Sequence, residues 1–144
     1  MRLVVDASVV LKWFLKEKGS THAREYLARF RAGQDDLIAP DLLVSEVGNG
    51  LRSAALSKRL DAGLAEGAFA DFLAMDVSFV PMSRIGSKAI ELALTNNTSF
   101  YDAAYVALAL AEQLPVLAVD GPMSQRLSGT VEFLLLRTDD ADLR

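Results

Sequence analysis

Apolar positions along the chain follow two rhythms. Short continuous runs bounded by polar or turn-forming residues occur at Arg2–Val5, 36–39, 77–81, 115–119 and 132–136. Runs of that length read as buried strands. Between them, apolar residues recur every three or four positions, as in Leu42, Leu43, Val47, Leu51, Ala54 and Ala55, the spacing of one face of a helix. Helices are predicted over 8–15 with Ser8 as N-cap, over 21–32, and from Asp41, a cap preceded by Pro40, through the Leu42–Ala55 stripe. Others follow at 61–74, 83–94, 100–113 behind a Ser99 cap, and 123–127 after the turn Asp120-Gly121-Pro122. Gly19-Ser20-Thr21 opens the second helix and Gly33 closes it. The polar stretch 138–144 reads as a frayed tail.

Short apolar strands alternating with helices imply an α/β chain, a parallel sheet covered on both faces. In such sheets ligands bind beyond the carboxyl ends of the strands. The length of 144 residues fits a single domain over 1–144, and 51% apolar composition with mean hydropathy +0.24 argues against disorder.

The chain has no cysteine, which removes disulfides, thiolate metal sites and cysteine nucleophiles and fits a cytoplasmic location. Its one histidine, His22, falls at the start of a polar helix and reads as a surface residue. Serine–histidine catalysis is therefore a poor candidate. Asp6 interrupts the apolar opening MRLVVDASVVLKWFLK, so this segment reads as a strand leading into a helix and not as a signal peptide. No stretch approaches the ~20 apolar residues of a membrane span. Net charge is −4 and the isoelectric point about 4.9, against broad nonspecific nucleic-acid binding. Local basic clusters still stand out: Lys12, Lys16 and Lys18; Arg52, Lys58 and Arg59; Arg84 and Lys88.

Asp6, Glu46, Asp102 and Asp120 each interrupt apolar sequence at an expected strand end or helix start. Each has a bland reading as a turn residue, a solvated helix position or a first-turn acid. Those readings do not explain four acids all beside core-like sequence. A carboxylate near a core needs a partner or a metal, and oxygen-only ligands suit Mg²⁺ or Mn²⁺. Ser8 and Ser99 could cap helices and also serve the site, and Asn49 lies one helical turn after Glu46. Trp13 and Phe14 read as packing residues.

Taken together, the motifs resemble those of PIN-domain ribonucleases, and within them the VapC-type toxins of toxin–antitoxin pairs. The matching pieces are Val5-Asp6-Ala7-Ser8-Val9 with Lys12-Trp13-Phe14-Leu15; Ser45-Glu46-Val47 with Asn49 and Leu51; Tyr101-Asp102-Ala103-Ala104-Tyr105 with Ala107-Leu108-Ala109; and Leu114-Pro115-Val116-Leu117 ahead of Asp120. The resemblance implies a three-layer α/β/α sandwich around a central parallel sheet. It implies that Asp6, Glu46, Asp102 and Asp120 bind Mg²⁺ or Mn²⁺, and that RNA phosphodiesters are hydrolysed by metal-activated water. It further implies a homodimer and a VapB-type antitoxin partner. The last motif departs from the family pattern: Ala118 stands where a hydroxyl residue is usual, and Gly121-Pro122-Met123 where a further acid often follows.

Two other readings stay open from sequence. One is a noncatalytic PIN-like module that binds RNA or protein. The other is a phosphatase with Asp6 as nucleophile, though Ser8 stands where such enzymes want a second aspartate.

Overall fold

Leu3, Val4 and Val5 are wholly enclosed, as a strand flanked on both edges and covered on both faces must be. In the computed structural model, which describes residues 1–138, this segment is the central strand β1 (Arg2–Val5). The order along the chain continues α1 (Ala7–Phe14), α2 (Ser20–Arg31), β2 (Asp36–Pro40), α3 (Leu42–Leu56), α4 (Ala62–Ala74) and β3 (Ser78–Val80). It ends with α5 (Met82–Asn96), α6 (Phe100–Glu112), β4 (Val116–Ala118), α7 (Pro122–Arg126) and β5 (Phe133–Leu135). The expected frayed tail lies, from 139 onward, outside the described residues.

All pairings are parallel and the sheet order is β3-β2-β1-β4-β5. The chain builds outward from β1 to β2 and β3, then crosses back to add β4 and β5 on the other side. The switch point therefore lies between β1 and β4, where Val4 pairs with Val116 and Val5 with Leu117. A doubly wound sheet opens a crevice at this place, beyond the carboxyl ends of the strands. Helix α1 packs against α2 and α3, α3 packs against α4, and α5 packs with α6, which lies across β1, β2 and β4. The α/β sandwich expected from the alternation is the observed architecture. The α6 sequence explains its place: Ala103 through Ala109 are all buried, and the small residues among them let the helix sit close on the sheet.

The caps differ in detail from expectation. Asp6, not Ser8, is the N-cap of α1, its carboxylate accepting from the Ser8 amide at 3.3 Å. An aspartate in extended backbone just ahead of a helix outcompetes a serine already inside the first turn. Asp41 makes no side-chain bond to its own helix. Its Oδ1 accepts from the Met82 amide at 3.1 Å, at the start of α5, so it ties α5 to the end of β2. Ser99 caps α6 as expected, its hydroxyl accepting from the Asp102 amide at 3.0 Å.

Trp13 is core, its Nε1 donating to the Ala23 carbonyl at 3.0 Å and joining α1 to α2. His22 is not a lone surface ring. It is half-buried, its Nδ1 accepts from the Arg137 amide at 2.7 Å, and it lies 5.2 Å from the Tyr26 ring.

One buried carboxylate serves the fold alone. Asp35 is almost fully enclosed and takes a forked pair of bonds from Arg29, at 2.7 and 3.1 Å. Arg29 holds the Asp35 carboxyl below its ordinary value of 3.8. The unfolded chain therefore takes up the proton first. The pair's contribution to stability is full above that ordinary value and is lost as pH falls through the lowered folded value. Asp35→Asn is expected to lower Tm by a few degrees at neutral pH, and the gap to wild type should close in acid below 3.8. Thermal melts across pH check this; a gap independent of pH would remove the ion pair from the account.

Candidate active site

Three of the four acids singled out from sequence, Asp6, Glu46 and Asp102, come near enough for their charges to interact. Asp6 follows β1 directly and caps α1, so its position is fixed by the central strand and by the helix start together. Ser8 Oγ also donates to Asp6 Oδ2. Glu46 lies one turn into α3, half-buried beside the enclosed Leu43 and Val47. Asp102 lies in the first turn of α6 behind the Ser99 cap. The tyrosine one turn further, Tyr105, is fully buried and donates its hydroxyl to Glu46 Oε1 at 2.5 Å. That bond joins α6 to α3 across the end of the sheet.

The three carboxylates act on one another. Burial pushes the Asp6 carboxyl up, with the Asp102 charge adding to the rise and the Ser8 bonds opposing it. Burial likewise raises Glu46, opposed by the Tyr105 bond and reinforced by the charges of Asp6 and Asp102. Burial raises Asp102, against the Ser99 bond and the nearby charge of Arg126. Tyr105 is pushed far above the usual phenol value, chiefly by burial and then by Asp6 and Glu46. It therefore stays a neutral donor at any ordinary pH. Acids that resist ionisation together form a site that a bound dication would relieve.

Asp120 stands apart from this description. It is exposed, not set against the core, and its Oδ1 accepts from Ser124 Oγ at 3.3 Å and Gln125 Nε2 at 3.4 Å. It shares with Asp6 a place beyond the carboxyl end of a strand. Asn49 is exposed on α3, a turn after Glu46. Among the described residues, no three His, Cys, Asp or Glu side chains are grouped closely enough to hold a metal as they stand. Asp6, Glu46 and Asp120 each accept a hydrogen bond from a protein partner. In chemistry the donor set fits a hard divalent cation: it is all oxygen, concentrated at one crevice, and under mutual repulsion.

Sequence reasoning missed two residues here. Tyr105 stands in the Tyr101-Asp102-Ala103-Ala104-Tyr105 motif with no role of its own assigned from sequence, although its spacing of three from Asp102 places both on one helix face. Arg126, at the end of α7, acts on Asp102 and donates to the Asn97 carbonyl at 3.0 Å. Its only sequence signal was to be a cation shortly after Asp120. Tyr105→Phe removes the donor from Glu46 and leaves the ring to pack. We expect divalent-cation affinity to fall about 10–100-fold, the usual effect of losing a group that orients a ligand. Calorimetric titration with Mn²⁺ checks this, and unchanged affinity would mean that the orientation of Glu46 is immaterial.

The chain matches the PIN domain over residues 3–126. Ribonuclease VapC1 of Mycobacterium tuberculosis is 36% identical over 101 residues, which span 69% of this chain and 74% of that protein. Among solved structures, PAE2754 from Pyrobaculum aerophilum superposes with a TM-score of 0.66 at 21% identity, over 92% of each chain. A structure of VapBC2 from Rickettsia felis bound to a DNA fragment from their promoter superposes with a TM-score of 0.63 at 14% identity. That match covers 96% of this chain and 100% of the other. These two likenesses speak for the fold; the family match and the VapC1 identity carry the assignment. By both, the chain belongs to the PIN-domain family, in its VapC-type branch.

Proposed function

We propose that the protein is a metal-dependent endoribonuclease, the toxin of a type II toxin–antitoxin pair, acting as a single PIN domain in the cytoplasm. The observation that carries this reading is the set of half-buried carboxylates, Asp6, Glu46 and Asp102, whose charges act within the set. Those three residues would hold Mg²⁺ or Mn²⁺, with Asp120 completing the site or helping a second ion. Such a cation supplies positive charge against the phosphoryl oxygens and acidifies water for attack on phosphorus.

The chain's own groups prepare that chemistry. Ser8 and the α1 amide fix the Asp6 carboxylate. Tyr105 fixes Glu46. Ser99 fixes the turn that bears Asp102. In the hydrolysis, the water oxygen bonds to phosphorus, the phosphorus–ribose oxygen bond breaks in line with it, and the departing oxygen takes a proton. Ser8, Asn49 and Ser99 are assigned to substrate contact or to orienting the acids, a role consistent with the Ser8 bond to Asp6 and the Ser99 cap ahead of Asp102.

The partner would be a VapB-type antitoxin, consistent with the VapC relatives. A homodimer is supported by exposed apolar side chains on adjoining helices, Ile90 and Leu94 on α5 with Phe100 and Tyr101 on α6. Among the described residues no helix is long and apolar enough to cross a membrane.

A noncatalytic PIN-like module is the second reading, favoured by the exposure of Asp120 and the lack of a grouped acid triad in the present side-chain positions. Incubating the protein with a mixed RNA pool and Mg²⁺, with and without EDTA, separates the two. The nuclease reading expects cleavage that EDTA abolishes. Intact RNA under both conditions, with RNA or protein binding retained, would favour the noncatalytic module.

A further inference from the structure

We propose that Arg126 grips a phosphate of the bound RNA beside the acidic set, so that the chain itself provides the cation that lets a polyanion approach three carboxylates. The inference rests on the ribonuclease reading and names a substrate-binding residue for it.

The problem is electrostatic. The cap of α1, the first turns of α3 and the first turn of α6 bring the carboxylates of Asp6, Glu46 and Asp102 to one end of the sheet, and an RNA strand brings further negative charge to them. Several cations that the sequence offered for steering are engaged elsewhere. Lys12 and Arg59 both pair with Glu17, at 2.8 and 3.3 Å, and Lys88 pairs with Glu91 at 3.3 Å.

Arg126 differs in place and in attachment. It is the cation whose charge acts on Asp102. It is exposed at the last turn of α7, yet tethered, because Nη1 donates to the Asn97 carbonyl at 3.0 Å. Asn97 closes α5 in the left-handed conformation, with φ +50°. Two residues on, Ser99 caps the turn that carries Asp102. One short loop thus fixes both the guanidinium and the acid. A neutral carbonyl takes one of five N–H donors and, among the described residues, leaves the charge without a direct salt bridge. A planar fork held this way suits the oxygens of a phosphate.

The test uses the full chain carrying Asp6→Asn, so that RNA is bound without being cut. Binding of a fluorescein-labelled pool of random-sequence single-stranded RNA is followed by anisotropy over a salt series. Adding Arg126→Gln is expected to weaken binding on the order of tenfold and to flatten the dependence of log K on log salt by about 0.7, one phosphate contact on a single strand. Arg126→Lys should keep the slope and lose part of the affinity. Arg31→Gln, at the opposite rim of the sheet beside Asp36, should keep both.

Unchanged affinity and slope in Arg126→Gln overturns the proposal. So does an equal loss in Arg31→Gln, which would make the effect one of net charge, or a fall in Tm with the slope intact, which would make Arg126 a tether for α7 alone. Failure of the ribonuclease reading looks different. The otherwise unmutated protein would then leave RNA intact with and without EDTA, whatever Arg126 does to binding; absence of any RNA binding overturns both.

Discussion

Asp6→Asn is expected to lower RNA cleavage on the order of 10³-fold or more, and at the same time to raise the Tm of the metal-free protein. Asparagine keeps the shape of the side chain and its ability to cap α1, so the first effect is not unfolding. The second follows from the sign of the charge effect. Burial and Asp102 hold the Asp6 carboxyl above its ordinary value of 3.8. An acid with a raised folded pKa opposes folding once ionised. That penalty is full above the raised value and is relieved as pH falls through it. Removing the charge should therefore raise the Tm of the metal-free fold wherever the wild-type Asp6 is ionised. Saturating metal should reverse the order, because only the wild type gains from binding. A strained active site stabilised by disarming it is a common trade-off. Melting curves with EDTA and with Mn²⁺ decide the point; a destabilised metal-free mutant would show that Asp6 is structural.

Gly50→Val is expected to destabilise by about 3 kcal/mol, through overpacking at the contact between α1 and α3. A Cβ at Gly50 would stand 2.5 Å from Leu11 Cδ1, 2.7 Å from Cδ2 and 3.1 Å from Cγ. The contacts reach Leu11 Cγ as well as both tips, so the whole Leu11 side chain must turn aside or the helices part. Leu11→Ala makes room, and the double variant should be more stable than the two single losses predict, by about 1–2 kcal/mol. The contact also bears on function. Asp6 starts α1, and Glu46 precedes Gly50 by one turn on α3. Parting these helices changes the spacing of two of the acids, so cleavage should fall even where the variant remains folded. Denaturant melts of the four proteins in this cycle measure the coupling, and its absence would mean that Leu11 rotates away freely.

The strands and helices were legible because each carried its own period. β1 reads as buried from Leu3-Val4-Val5 alone, and α3 from the spacing of Leu43, Val47, Leu51 and Ala54. Strand ends shifted by a residue or two: 77–81 and 132–136 shrank to Ser78–Val80 and Phe133–Leu135, where pairing stops before the apolar run does. What the local pattern could not reveal was partnership across the fold. Asp41 looked like the cap of α3 and caps α5 instead. Tyr105 looked like core and is also the donor to Glu46, 59 residues earlier in the chain. Arg126 had no distinguishing local signal, because its place beside Asp102 arises only when the chain crosses back to β4. Asp120 was drawn into the acidic set by its apolar flank, yet Val119 and Gly121 carry it past the strand into solvent.

The central claim is that Asp6, Glu46 and Asp102 form one divalent-cation site. Calorimetric titration of Mn²⁺ into the wild type, Asp6→Asn and Asp120→Asn tests it most directly. The account predicts binding to the wild type, none to Asp6→Asn, and a weaker but measurable affinity for Asp120→Asn, whose carboxylate is exposed and set apart from the other three. Equal Mn²⁺ affinity in the wild type and Asp6→Asn would contradict it.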